Sequence, residues 1–208
     1  SRWNQAAFIQ HRYSAEHFST ELGLRHDKNQ QFGSENSWNA ALTVPFNTAN
    51  DLILSYSEGF RAPTFNDLYY PDFCFGGFCS ASANPDLEPE TSKSYEAQWR
   101  SRYSETGVLE LSLYRIDLQD AIVLDQNFIP QNVQTARING FEAALKQELY
   151  GWQGNLALAL IDPRDRDTGH TLARRAKRTL SLDLDRPFGE FAVGASWRAV
   201  SGRYDDAA

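Results

Sequence analysis

The chain has no methionine at all and two cysteines in its 208 residues. It also lacks any apolar run near the ~20 residues that a membrane-spanning helix requires, which excludes a helical span. A surplus of positive charge is missing too: the formal net charge is −7, so nucleic acid is not an expected partner. Low-complexity tracts, a fixed-length repeat and a compositional break between domains are absent, and no stretch reads as a helix. The opening residues Ser1-Arg2-Trp3-Asn4-Gln5 carry no leader-like apolar core. With the missing methionine, this sets the expectation of a piece from the middle of a longer protein.

The cysteines share one segment, Cys74-Phe75-Gly76-Gly77-Phe78-Cys79, whose adjacent glycines permit a tight turn. A Cys74–Cys79 disulfide pinning a loop in an oxidising compartment is the expectation. A metal site is the rival reading, but two thiolates do not complete a tetrahedral zinc shell and no histidine lies nearby. His11, His17, His26 and His170 are scattered. Asp162, Arg164, Asp165, Arg166 and Asp167 mix signs and lack the spacing of a calcium loop. No metal site is therefore expected.

What the chain does have is alternation. Leu180, Leu182 and Leu184 point one way, and Ser181, Asp183 and Asp185 the other. The same pattern sets Phe191, Val193, Ala195 and Trp197 against Ala192, Gly194, Ser196 and Arg198, and Leu109, Leu111 and Leu113 against Glu110, Ser112 and Tyr114. About ten such segments can be marked: 3–13, 17–27, 37–46, 50–60, 91–103, 107–119, 134–148, 152–161, 176–186 and 190–201. At ~3.3 Å per residue and ~45° tilt, ten residues cross the ~25 Å apolar band of an outer membrane. Odd connections are short and even ones are expected to be long, at 28–36, 61–90, 120–133 and 162–175. Short turns at one end and long loops at the other mark an antiparallel up-and-down transmembrane β-barrel, an all-β fold. Aromatic residues make up 13% of the chain, enough for girdles at both membrane interfaces. Asp183, Asp185, Arg198, Glu110, Glu142 and Lys146 then line a wet lumen. A soluble sheet with one solvated face alternates equally well; segment length and loop asymmetry favour the barrel.

Gly59-Phe60-Arg61-Ala62-Pro63 ends one strand, and Asn84-Pro85-Asp86-Leu87-Glu88-Pro89-Glu90 precedes the next. The pair in this order resembles the barrel of TonB-dependent outer-membrane receptors. The resemblance implies about ten strands of a larger, 22-stranded barrel, with residues 1–208 forming part of it and the plug domain and last strands absent. These motif residues are read as architecture, prolines and a buried arginine at the rim. Haem-importing members carry a histidine between the motifs, and residues 64–83 have none.

Further along, Tyr114-Arg115-Ile116-Asp117-Leu118-Gln119-Asp120-Ala121-Ile122, Ala136-Arg137-Ile138-Asn139-Gly140-Phe141-Glu142-Ala143 and Leu172-Ala173-Arg174-Arg175-Ala176-Lys177-Arg178 resemble the cobalamin-importing branch of the family. Gly202-Arg203-Tyr204-Asp205-Asp206 resembles the start of a later extracellular loop there. Siderophore receptors have related forms of the double-arginine segment. The resemblance implies an importer and not an enzyme. Cobalamin is its cargo, Arg174 a ligand-binding residue and Arg175 an inward or structural charge. It implies no cofactor; the family's calcium-binding aspartates belong to earlier loops. The implied partners are the TonB protein, acting through the plug, together with outer-membrane lipid and lipopolysaccharide. The rival functions are a siderophore receptor, a complete ten-stranded outer-membrane protease using Asp162, Asp165 and His170, and a soluble β-sandwich binding module.

Overall fold

The computed structural model describes residues 2–125 and 127–204. The period-two segments become β1 (Asn4–Ser14), β2 (Ser19–Asn29), β3 (Gly33–Pro45) and β4 (Asn50–Arg61). A short helix α1 (Phe65–Tyr69) and a small hairpin of β5 (Phe73–Phe75) and β6 (Phe78–Ser80) follow. The strands resume as β7 (Glu90–Ser101), β8 (Val108–Leu124), β9 (Pro130–Leu149), β10 (Trp152–Asp165), β11 (Arg178–Phe188) and β12 (Phe191–Val200). All but β5 and β6 join one ten-stranded antiparallel sheet in the order β1-β2-β3-β4-β7-β8-β9-β10-β11-β12. Among the described residues β1 and β12 do not pair, so the sheet is open and the closed ten-stranded barrel of a protease is not formed.

The sheet is a single layer. Among the described residues the buried apolar side chains are Leu68, Leu87, Ala121, Ala136 and Leu172 with the prolines Pro63, Pro130 and Pro163, all on the side of the long connections, and no second sheet covers the leucine rows. Leu113 is 62% exposed and Trp197 55%. A soluble sandwich would bury such residues between its layers. The register puts Leu54, Ala97, Leu113, Phe141, Leu160 and Arg178 directly opposite one another across β4 to β11. The same row continues through Leu42 and Thr20 to Tyr13 on β1.

On this apolar face each strand changes to polar residues at a definite point. Apart from His11 within the band of β1, the polar residue that closes the apolar run towards the long-loop side is Gln5 on β1, His26 on β2, Asn36 on β3, Glu58 on β4, Lys93 on β7, Arg115 on β8, Asn139 on β9, Asp162 on β10 and Arg178 on β11. Measured against the register, the boundary slides steadily from β1 to β11. The drift is about eight residues, ~26 Å, over about eight strand spacings of ~4.8 Å, a line inclined ~35° to the rows. That is the tilt strands take in a membrane barrel, ~35–45°, so one flat apolar boundary cuts all nine strands. Aromatic rings stack just inside it, with Trp38–Tyr56 centroids at 4.4 Å and Tyr56–Tyr95 at 5.1 Å. A second set, Tyr13–Phe18, Phe46–Trp99 and Trp152–Phe188, marks the short-turn end.

Three sequence expectations change. The connection expected over 28–36 is a tight turn of residues 30–32: β2 and β3 pair as far as Asn29 opposite Gly33. Asn29 Oδ1 accepts from the backbone N–H of Gln31 and Phe32, and Gly33 takes φ +81°. The loops expected over 120–133 and 162–175 shrink to 125–129 and 166–177, because the strands run on past the apolar boundary. There both faces are wet, and alternation no longer reports pairing. Finally, α1 exists where no helix was expected. Thr64 and Asp67 close a capping box, with the Asp67 N–H donating to Thr64 Oγ1 at 3.2 Å and the Thr64 N–H to Asp67 Oδ2 at 2.8 Å.

Leu158, mid-band on β10, tests the assignment of faces. Leu158→Arg should cost ~2–4 kcal/mol of stability, and Ser181→Arg on the opposite face of β11 less. Thermal or denaturant unfolding in detergent measures both.

Candidate functional site

The structured loops gather at one end of the sheet. The first tie there joins the two opening motifs: Arg61 Nε and Nη2 donate to Glu90 Oε1 and Oε2 at 2.7 and 2.8 Å. Arg61 is half-exposed, not buried as the motif reading had it. Glu90 Oε2 also accepts from the Ile122 N–H at 3.0 Å, so one carboxylate holds β4, β7 and β8 together beyond the apolar boundary. Burial pushes the Glu90 carboxyl up, but the Arg61 fork and the Ile122 amide outweigh it and hold it below its ordinary value.

The long connection 62–89 is fastened at both ends. Pro63 O accepts from Arg2 Nη2 at 3.0 Å, and that guanidinium lies over the Phe32 and Phe65 rings. The Asn84 N–H donates to Asp67 O at 2.8 Å, and Asn84 Nδ2 to Pro130 O at 3.0 Å. Asn132 on β9 accepts from the Glu88 N–H at 2.9 Å and donates back to Glu88 O at 3.0 Å and to Asp120 O at 2.6 Å. Between these fastenings the β5–β6 hairpin carries the Cys74–Cys79 bond, sulfurs 2.07 Å apart. Around it Phe65, Tyr69, Tyr70 and Phe73 are exposed.

Arg174 lies in the 166–177 loop. Its backbone is left-handed, at φ +59°, and its N–H donates to Tyr204 O at 2.7 Å. Its exposed side chain rests over the Phe128 ring of the 125–129 loop, 4.8 Å from the centroid. Below it Leu172 is buried against Ala121 and Ala136. The structure thus brings Arg174 to Phe128 and Tyr204. It does not join Arg174 to the Cys74–Cys79 hairpin by any hydrogen bond among the described residues. Arg175 is exposed. Asp205 and Asp206 of the last motif lie outside the described residues. No group of three or more His, Cys, Asp or Glu side chains is arranged to hold a metal among the described residues. Asp162 accepts from Arg164, Asp165 Oδ1 accepts from the Asp167 N–H, and among the described residues no hydrogen bond joins either carboxylate to the His170 ring.

Sequence reasoning missed Phe128, Asn132 and α1, and read Asn84 only as part of an architectural motif. Phe128 gave no signal, being a lone aromatic in a polar stretch. The helix did give one: Thr64-Phe65-Asn66-Asp67 is a capping-box pattern.

The family profile described as TonB dependent receptor-like, beta-barrel matches residues 1–208. The chain belongs to the TonB-dependent receptor β-barrel family. This is a family of outer-membrane transport receptors, not enzymes. Two curated relatives carry the name vitamin B12 transporter BtuB. The one from Vibrio vulnificus is 33% identical over 97% of this chain and 32% of its own length. The one from Photobacterium profundum is 28% identical over 100% of this chain and 34% of its own. The chain therefore spans about a third of the length of the curated relatives it matches. Among solved structures, the siderophore receptor PirA from Acinetobacter baumannii superimposes with a TM-score of 0.74 at 20% identity, covering 94% of this chain and 33% of that one. The copper transporter OprC gives 0.75 at 20% identity, with 95% and 34% covered. At such identity these two show the shared barrel fold and nothing of the ligand.

The Glu90 tie yields a pH prediction. Its lowered carboxyl value means the tie contributes stability above the ordinary carboxylate range and loses it as pH falls through the folded value. Amide exchange at residues 84–90 of the full-length receptor, taken relative to the intrinsic rate at each pH, should become faster on that acid limb. In Glu90→Gln it should be fast throughout and lose that step.

Proposed function

We propose that this chain is part of the barrel wall and extracellular rim of an outer-membrane receptor that binds cobalamin and imports it into the periplasm with TonB-coupled energy. The reading puts residues 1–208 beside a plug domain and further strands elsewhere in the protein, with the TonB protein acting through the plug. Outer-membrane lipid and lipopolysaccharide surround the apolar band. No bond in the cargo is made or broken, and no cofactor is used.

The observation that carries the reading is the setting of Arg174. It stands exposed among the loops, with its backbone held by Tyr204 O and its guanidinium resting on Phe128. A ring face orients a guanidinium while leaving its N–H edges free to donate. Cobalamin offers amide carbonyls and a phosphodiester, acceptors that suit such a fork. The curated relatives named as vitamin B12 transporters support the choice of cargo.

Titration calorimetry of the full-length receptor with cyanocobalamin tests this. The parent should bind, and Arg174→Ala should bind about tenfold or more weakly, the loss of a charged hydrogen bond, with the barrel still folded. Unchanged affinity would remove Arg174 from the site. Binding of a ferric siderophore and not of cyanocobalamin would move the protein to the siderophore receptors.

A further inference from the structure

On the apolar face, the first rows beyond the boundary carry an uneven charge. Glu58, Lys93, Asp117, Arg137 and Arg164 are directly opposite one another across β4, β7, β8, β9 and β10, with Glu58 accepting from the Tyr56 hydroxyl at 2.7 Å. Arg115 lies two residues nearer the apolar band on β8, and Arg166 follows β10. Asp117 takes both neighbouring guanidiniums, with Arg137 Nε on Oδ1 at 2.5 Å and Arg115 Nη2 on Oδ2 at 2.7 Å. One carboxylate shared by two arginines leaves positive charge over. Arg164 pairs with Asp162 at 2.8 Å. Asp167 is turned to the Thr135 N–H and hydroxyl. The Lys93 ammonium and the Arg166 guanidinium make no hydrogen bond or ion pair among the described residues. With Asp117, Thr135 and Arg137 they line an open groove of about 470 Å³. In a chain whose net charge is −7, this face is a local exception.

We infer that this groove binds the phosphate of a phosphorylated lipid headgroup in the outer leaflet, with Lys93, Arg137 and Arg166 as its direct ligands and Arg115 and Asp117 fixing Arg137. The occupant follows from place and charge together. The groove has its charged residues Lys93, Asp117 and Arg137 on the face of Leu113 and Phe141, the outside of the wall. It begins at the line where hydrocarbon-facing residues end, directly beyond the Tyr56–Tyr95 aromatic pair. Headgroups occupy that level of a bilayer, and cations there meet their phosphates. An arginine fork and a lysine suit a phosphate monoester or diester. The inference rests on the outer-membrane reading above but not on the identity of the cargo.

The test uses the full-length receptor extracted from outer membranes in mild detergent, with bound phosphorylated lipid counted by native mass spectrometry. The parent should retain such lipid through detergent exchange. Lys93→Gln/Arg166→Gln, which breaks no recorded contact, should retain at least fivefold less, with cyanocobalamin or siderophore binding unchanged. Lys146→Gln, on the lumen face of β9, should match the parent. Equal retention by the double variant overturns the proposal, as does displacement of the lipid by millimolar inorganic phosphate, which would make the groove a free-anion site. Failure of the outer-membrane reading has its own signature: parent and variants alike would be missing from the outer-membrane fraction, and the proposal would fall with it.

Discussion

A single-layer sheet with hydrocarbon on one side can satisfy its backbone polar groups only through the strand on either hand. Everything else in this chain follows from that constraint. Each strand of the sheet spans the band because a shorter one would leave N–H and C=O groups unpaired in lipid. The strands tilt, so the apolar face must be written into the sequence on a slant, moving along each successive strand. The drift from Gln5 on β1 to Arg178 on β11 is that slant. The outer edges of β1 and β12 are the same constraint seen at its limits: among the described residues each presents an unpaired backbone ladder.

The motifs that carry the family resemblance turn out to be partners across strands. Arg61 of the first is forked to Glu90 at the end of the second. Asp117 and Arg137, from the next two, are directly opposite and ion-paired. Tyr114 lies opposite Gly140, and its ring covers the space a side chain there would need. The glycine is thus the seat for a tyrosine on the neighbouring strand, whose hydroxyl donates to Glu142 at 3.1 Å. Segments far apart in the chain are kept together because each is half of a contact.

The membrane-crossing part of the fold was legible because one face had to be apolar. Leu180, Leu182 and Leu184 announce β11, and the ten segments fall within a few residues of the ten strands. Legibility ended where lipid ended. Beyond Arg115 and Asn139 the strands β8 and β9 continue in water, with no periodic apolar face to report their pairing. The rim was read in part. Arg174 and the cysteine pair came from their motifs, but the contacts that place Arg174 did not. Phe128 and Tyr204 meet it through loop geometry, and Asn84 and Asn132 act by bonding distant backbone. Nothing local in the sequence marks such a role.

The cysteine bridge spans residues five apart and closes a ring within its own hairpin. It joins nothing to the wall. The anchors of the long connection sit instead at Pro63, Asp67, Asn84 and Glu88, outside the ring. The crosslink therefore stiffens the tip while leaving its approach free, giving a rigid paddle on a two-stranded tether. The hold of this hairpin on the wall therefore rests on the hydrogen bonds at those anchors and not on the sulfur bridge.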